Sequence, residues 1–101
     1  MTSYTNQELA QEYLNLAGKM GRVSSQQQRY ATTIAHTPID IQKHYDDCNG
    51  LGRLQINGVG KEAITALDFI LRKGNHGALR TLQDIHATRL RDVRLLEARL
   101  G

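Results

Sequence analysis

A chain of 101 residues, 40% hydrophobic and 23% charged, has the length and composition of one folded domain, which excludes a disordered chain and a second core. Its single cysteine, Cys48, excludes an internal disulfide, and no apolar run approaches the roughly 18 residues that a membrane span needs. The net charge of +3 is uneven, since residues 51–101 carry nine basic and five acidic side chains against four and five in residues 1–50. We therefore expect one cytoplasmic domain, 1–101, whose basic second half suits a phosphate-facing surface or serves solubility alone.

The first two predicted helices each begin with a capping box, in which two side chains satisfy backbone donors at the helix start. Thr5 and Glu8 have this spacing, and Ser24 and Gln27 repeat it. Apolar side chains recur at helical spacing after each box, which favours two amphipathic helices. Pro38 ends the second helix, because a proline disfavours helical geometry at the residue before it.

A third helix is predicted over residues 38–49. Thr37 is expected to cap it, and Pro38 suits the first helical turn because its fixed φ matches a helix start. The pair Asn49 and Gly50 is a common left-handed stop, so the helix is expected to end there.

The second half contains the main irregular segment and the longest helix. Residues 50–60 hold four of the nine glycines, helical spacing resumes over 61–73, breaks at 74–77 and continues over 78–100. These elements predict an all-α fold, a compact bundle of about five helices with a Gly-rich hairpin before the fourth and a long C-terminal helix. The alternative for residues 54–61 is a short β-hairpin around an Asn-Gly turn.

The segment that leads into the fourth helix is the most informative for function. Gly58 and Gly60 flank Val59, so the backbone can turn sharply and present bare amides, and Lys61 adds a positive charge at the helix start. This segment resembles the hairpin of the helix-hairpin-helix family, whose members bind DNA. The resemblance, over residues 51–71, implies phosphate contacts that do not read bases.

The segment also departs from the family pattern. Asn57 replaces the hairpin proline, and Ile64 stands where a small residue is usual. A phosphate-binding loop of the Walker type is excluded, because it needs a glycine and a hydroxyl where this chain has Gln55 and Glu62.

No catalytic or metal-binding constellation is evident. Asp40, His44 and Cys48 are spaced four apart on one helix face, but no paired ligand motif supports a metal site, so that question stays open. Asp46 and Asp47 disfavour a Cys48 thiolate, which is the opposite of what a nucleophile needs. We predict a protein that is not an enzyme and that carries no cofactor.

The first functional hypothesis is non-specific nucleic-acid binding through phosphate contacts at the hairpin and at the basic second half. The predicted contact residues are Arg53, Asn57, Gly58, Val59, Gly60, Lys61, Arg72, Lys73, Arg80, Arg91 and Arg94.

The alternative is a small helical protein-protein adaptor or inhibitor, of phage or mobile-element type, that uses its long C-terminal helix as an interface with a partner or with a second copy. An arginine among leucines on that helix invites a carboxylate partner. The predicted interface residues are Leu82, Arg89, Leu90, Val93 and Leu96.

Overall fold

Both capping boxes start helices in the computed structural model of the chain, which describes residues 3–21 and 23–100 and their side chains as far as residue 91. The Thr5 hydroxyl accepts from the Glu8 amide at 3.1 Å, and the Glu8 carboxylate accepts from the Thr5 amide at 3.0 Å. The helices are α1 (Asn6–Lys19), α2 (Ser25–His36), α3 (Ile41–Cys48) and α4 (Lys61–Leu100). The all-α prediction is confirmed, and the β-hairpin alternative is wrong, because the described residues contain no strand.

Helix α3 begins later than the sequence pattern predicts. Thr37 ends α2 in an extended conformation, as expected before a proline, and does not cap the next helix. The cap is Asp40, whose Oδ1 accepts from the Lys43 amide at 3.2 Å, so α3 starts at Ile41. Asn49 ends α3 with a left-handed φ of 56°, as predicted.

The predicted break before the last helix is confined to one residue, so the described chain has four continuous helical elements, and the last of these joins two helices across a kink. Gly74 has φ 76° and ψ 171°, a conformation open almost only to glycine, and it divides α4 into a first arm (61–73) and a second arm (75–100). The second arm starts at 75 and not at 78. Asn75 Nδ2 donates to the backbone oxygen of Glu12 at 3.0 Å and to its carboxylate at 2.8 Å, which ties this start to α1.

The core lies between α1, α2 and the first arm of α4, and the irregular segment between α3 and α4 also contributes to it. Leu51, Leu54 and Ile56 are buried there, so this segment is anchored although it has no regular structure. No helix of the described residues has the length and apolar character that crossing a membrane requires. The largest fully buried side chains are Leu9, Leu16, Ile34, Ile41, Leu51, Leu67 and Ile70.

Candidate nucleic-acid interface

The hairpin is a tight turn with an anchored base and an exposed tip. The Val59 amide donates to the Ile56 carbonyl at 3.0 Å, and Gly58 has φ 88°. Asn57 has no positive φ, so the signs at the two central residues are those of a type II turn. Ile56 is buried, whereas Asn57 and Gly58 are exposed, which fixes the turn to the core and leaves its tip in solvent.

This turn predicts a stabilising substitution. Asn57→Pro is expected to raise the free energy of unfolding by about 0.4–1 kcal/mol, because proline fixes the φ that the first central position requires. Among the described residues the Asn57 amide has no acceptor to lose. Urea denaturation measures the change, and Gly58→Ala is the paired variant, expected to lower stability because alanine strains a positive φ. A loss of stability in Asn57→Pro would contradict this turn geometry.

Backbone donors are concentrated where the turn meets α4. The Gly60 carbonyl accepts from the Ala63 and Ile64 amides at 3.1 and 3.2 Å and so caps the helix. Within the described part of the chain, the amides of Gly58, Gly60, Lys61 and Glu62 have no acceptor; in this turn only the Val59 amide is used. A helix start with open amides carries partial positive charge and suits an oxyanion.

Helix α2 supports the turn from behind. A Cβ on Gly60 would lie 2.8 Å from the Tyr30 hydroxyl, and one on Gly58 would lie 3.9 Å from the Thr33 side chain. A side chain on Gly60 would therefore displace the Tyr30 hydroxyl. Arg29 is exposed one helical turn before Thr33, so it lies on the same face of α2, and it is not one of the predicted contact residues.

The side-chain charges beside the turn are mixed. Lys61 and Arg53 are exposed, and neither forms an ion pair with a described residue. Glu62 is exposed as well, so its carboxylate offsets part of the positive charge. We call Arg29, Asn57, Gly58, Gly60 and Lys61 the hairpin surface.

Two of the predicted phosphate contacts hold the fold together. Arg72 donates to Asp68 Oδ2 at 2.7 Å and to the Asn49 carbonyl at 2.9 Å, and its guanidinium lies 5.5 Å from the centre of the Tyr45 ring. Lys73 donates to the Thr81 hydroxyl at 3.1 Å, which links the two arms of α4 across their break. Both side chains are partly committed to these contacts.

The second arm runs back toward the start of α4, because Arg89 lines the same groove as Lys61. Arg80 and Arg91 are exposed on this arm, whereas the Arg94 side chain lies outside the described residues. Arg89 therefore lies near Lys61, whereas Arg80 and Arg91 are roughly half a turn around the helix from Arg89 and do not line this groove.

The predicted protein-interface residues differ in exposure, and two of their side chains are not described. Leu82 is half-buried against the core, while Arg89 and Leu90 are exposed, Leu90 to 48%. The side chains of Val93 and Leu96 lie outside the described residues.

The structure places Asp40, His44 and Cys48, the residues considered as metal ligands, in separate surroundings. Asp40 caps α3, and Cys48 is exposed. His44 Nε2 is buried with no hydrogen-bond partner among the described residues. In the described ranges, no three histidine, cysteine, aspartate or glutamate residues are grouped so as to hold a metal ion.

Tyr13 has the largest electrostatic perturbation near the start of α4. Burial, reinforced by Tyr30 and Glu62, raises the pKa of Tyr13 from 10.0 to about 12. Protonated Tyr13 therefore favours the folded state fully below pH 10, and this contribution is lost as pH rises toward about 12.

Ultraviolet titration should show a late tyrosine step that Tyr13→Phe removes. The urea-unfolded chain is the control and should lack that step, and a late step that persists in Tyr13→Phe would contradict the assignment.

Comparisons of the chain with protein-family models, with curated proteins and with solved structures find no match.

Proposed function

We propose that the chain is a non-enzymatic protein that binds nucleic acid by its phosphate backbone at the hairpin surface. The observation that carries this proposal is the set of unpaired amides at an exposed turn that opens directly into a helix start. Lys61 supplies a mobile charge beside them, and the resemblance of residues 51–71 to helix-hairpin-helix modules points the same way. These donors fit one phosphate group and its neighbours along a strand.

Low base specificity follows from the kind of donor involved. Backbone amides and a lysine recognise phosphate oxygens, which are the same at every base pair. Arg29 lies to one side of the turn and Arg89 lines the same groove as Lys61, so these two side chains would engage further phosphates along the strand. Sequence preference should therefore be weak, and affinity should depend strongly on salt.

The direct test is anisotropy titration of labelled duplex DNA, duplex RNA and single-stranded DNA at two salt concentrations. If about four phosphates are neutralised, affinity for duplex DNA should fall roughly 100-fold between about 50 and 200 mM salt. Scrambling the base sequence should change affinity by less than about threefold. Absence of binding at the lower salt, or binding that salt does not weaken, would overturn the proposal.

The alternative, a protein-protein adaptor, is favoured by one feature of the second arm. Ile85 and Leu90 are 38% and 48% exposed on a helix that also carries half-buried Leu82. An apolar interface of this kind, with a partner protein or a second copy, holds or tightens as salt rises. The same salt series therefore separates the two functions.

A further inference from the structure

A groove of about 280 Å³ lies between the second arm of α4, α1 and the start of the first arm. Leu16 of α1 and Met20, the C-cap of α1, line one side of it, and Leu82 and Ile85 line it from the second arm. Ile85 is 38% exposed, so this wall keeps apolar surface in contact with water. We call this space the arm groove.

A tyrosine hydroxyl that solvent reaches also lines the arm groove. Tyr13 is 6% exposed, and its hydroxyl donates no hydrogen bond to any described residue. Because its pKa is raised to about 12, the hydroxyl stays protonated and remains a donor at neutral pH. A carboxylate oxygen in the groove could accept from this hydroxyl in place of water.

The charged side chains of the arm groove define the kind of acceptor. Lys61 and Arg89 line the groove and form no ion pair with a described residue. Glu62 lines it too and leaves an excess of one positive charge among these three side chains. A ligand with one negative charge complements that excess, and a second negative charge on the ligand would have no further cation to pair with among these three side chains.

We propose that the arm groove binds a small amphipathic monoanion, an organic carboxylate with a hydrocarbon body. Its carboxylate accepts from the Tyr13 hydroxyl and pairs with Lys61 and Arg89, and its hydrocarbon covers Met20 and Ile85. The volume of the groove lies near the lower end of the range for small-molecule sites, which limits the ligand to a short chain or a single ring. The arm groove shares Lys61 and Arg89 with the proposed nucleic-acid contact, so the two ligands would compete, but octanoate binding can be measured with no nucleic acid present.

The test uses octanoate as the probe and octylammonium as a probe of the same chain length and opposite charge. Titration followed by two-dimensional amide NMR should shift resonances from both walls, around Leu16 and Ile85. Octanoate should bind at least about tenfold more tightly than octylammonium, a difference expected for one charge-assisted pairing. No shift of these resonances by octanoate in the folded chain, or equal affinity for the two probes, would overturn the proposal.

Two substitutions locate the carboxylate. Tyr13→Phe should weaken octanoate binding about five- to tenfold and leave the free energy of unfolding unchanged or higher, because the hydroxyl has no partner to lose. Arg89→Gln should weaken octanoate binding by a similar factor. Because the Arg89 side chain is exposed, the substitution should leave the fold intact. Arg80→Gln, exposed on the same arm but absent from the groove lining, is the matched control and should bind as the wild type does. Wild-type affinity in both Tyr13→Phe and Arg89→Gln would refute the site.

Discussion

Lys61→Glu is expected to weaken binding of duplex DNA at least about tenfold at low salt and to lower the slope of log affinity against log salt by one or more. The side chain of Lys61 is exposed and makes no hydrogen bond or ion pair with a described residue, so the free energy of unfolding should change by less than about 0.5 kcal/mol. The loss arises because a carboxylate replaces the one lysine beside the open amides of the turn. Anisotropy titration over a salt series measures both quantities.

The matched control is Lys43→Glu. Lys43 is exposed on α3, and its substitution changes net charge by the same amount away from the hairpin surface. If total charge alone governed binding, the two variants would lose affinity equally. Equal losses would therefore refute the hairpin surface while leaving non-specific binding intact.

Substitution at Gly60 is a weaker test of the same contact. A side chain there would collide with the Tyr30 hydroxyl, which already accepts from Gln26 Nε2 at 2.9 Å. Gly60→Glu would thus displace the Tyr30 side chain and disturb this hydrogen bond as well as add a repulsive charge. Because Lys61 is exposed, its substitution tests the DNA contact without disturbing the fold. Substitution of Gly60 would change both.

The helix starts could be predicted from sequence because their determinants are local. Thr5 and Glu8 are three residues apart, and the side chain of each accepts a hydrogen bond from the backbone amide of the other. Helix α3 is different, since two caps compete for its start. Asp40 is the cap because the Ile41 amide donates to Asn6 of α1 at 3.2 Å, a contact that no local pattern reveals.

The candidate site could be predicted only where it is continuous in sequence. The glycines of the turn and Lys61 lie together in the chain, and their exposure follows from the turn itself. The role of Arg29 depends on which face of α2 meets the turn, and that depends on the close contact between Gly60 and Tyr30. Arg72 illustrates the reverse case, because its partners Asn49 and Asp68 become visible only when the segment before the hairpin is folded onto α4.

Asp68→Ala is expected to lower the free energy of unfolding by about 2–3 kcal/mol, the largest stability effect among these variants. Asp68 Oδ1 accepts from the amide of fully buried Leu51 at 2.9 Å, and Oδ2 accepts from Arg72 at 2.7 Å. Alanine leaves the Leu51 amide buried without a partner and removes a charge-assisted hydrogen bond. Urea denaturation measures the loss, and Asp47→Ala, on an exposed part of α3, is the control expected to stay within about 0.5 kcal/mol.

The same variant tests whether fold and function are linked through the hairpin. Leu51 begins the segment that carries the turn, so loosening it should disorder the hairpin surface and reduce DNA binding at a temperature where the chain is still folded. Net charge alone predicts tighter DNA binding in this variant, because removing a carboxylate makes a basic protein more basic. Asp68→Asn can keep one acceptor for the Leu51 amide while removing the same charge, so it should bind DNA at least as well as the wild type. Tighter binding in both variants would show that positive charge, and not the position of the turn, controls the interaction.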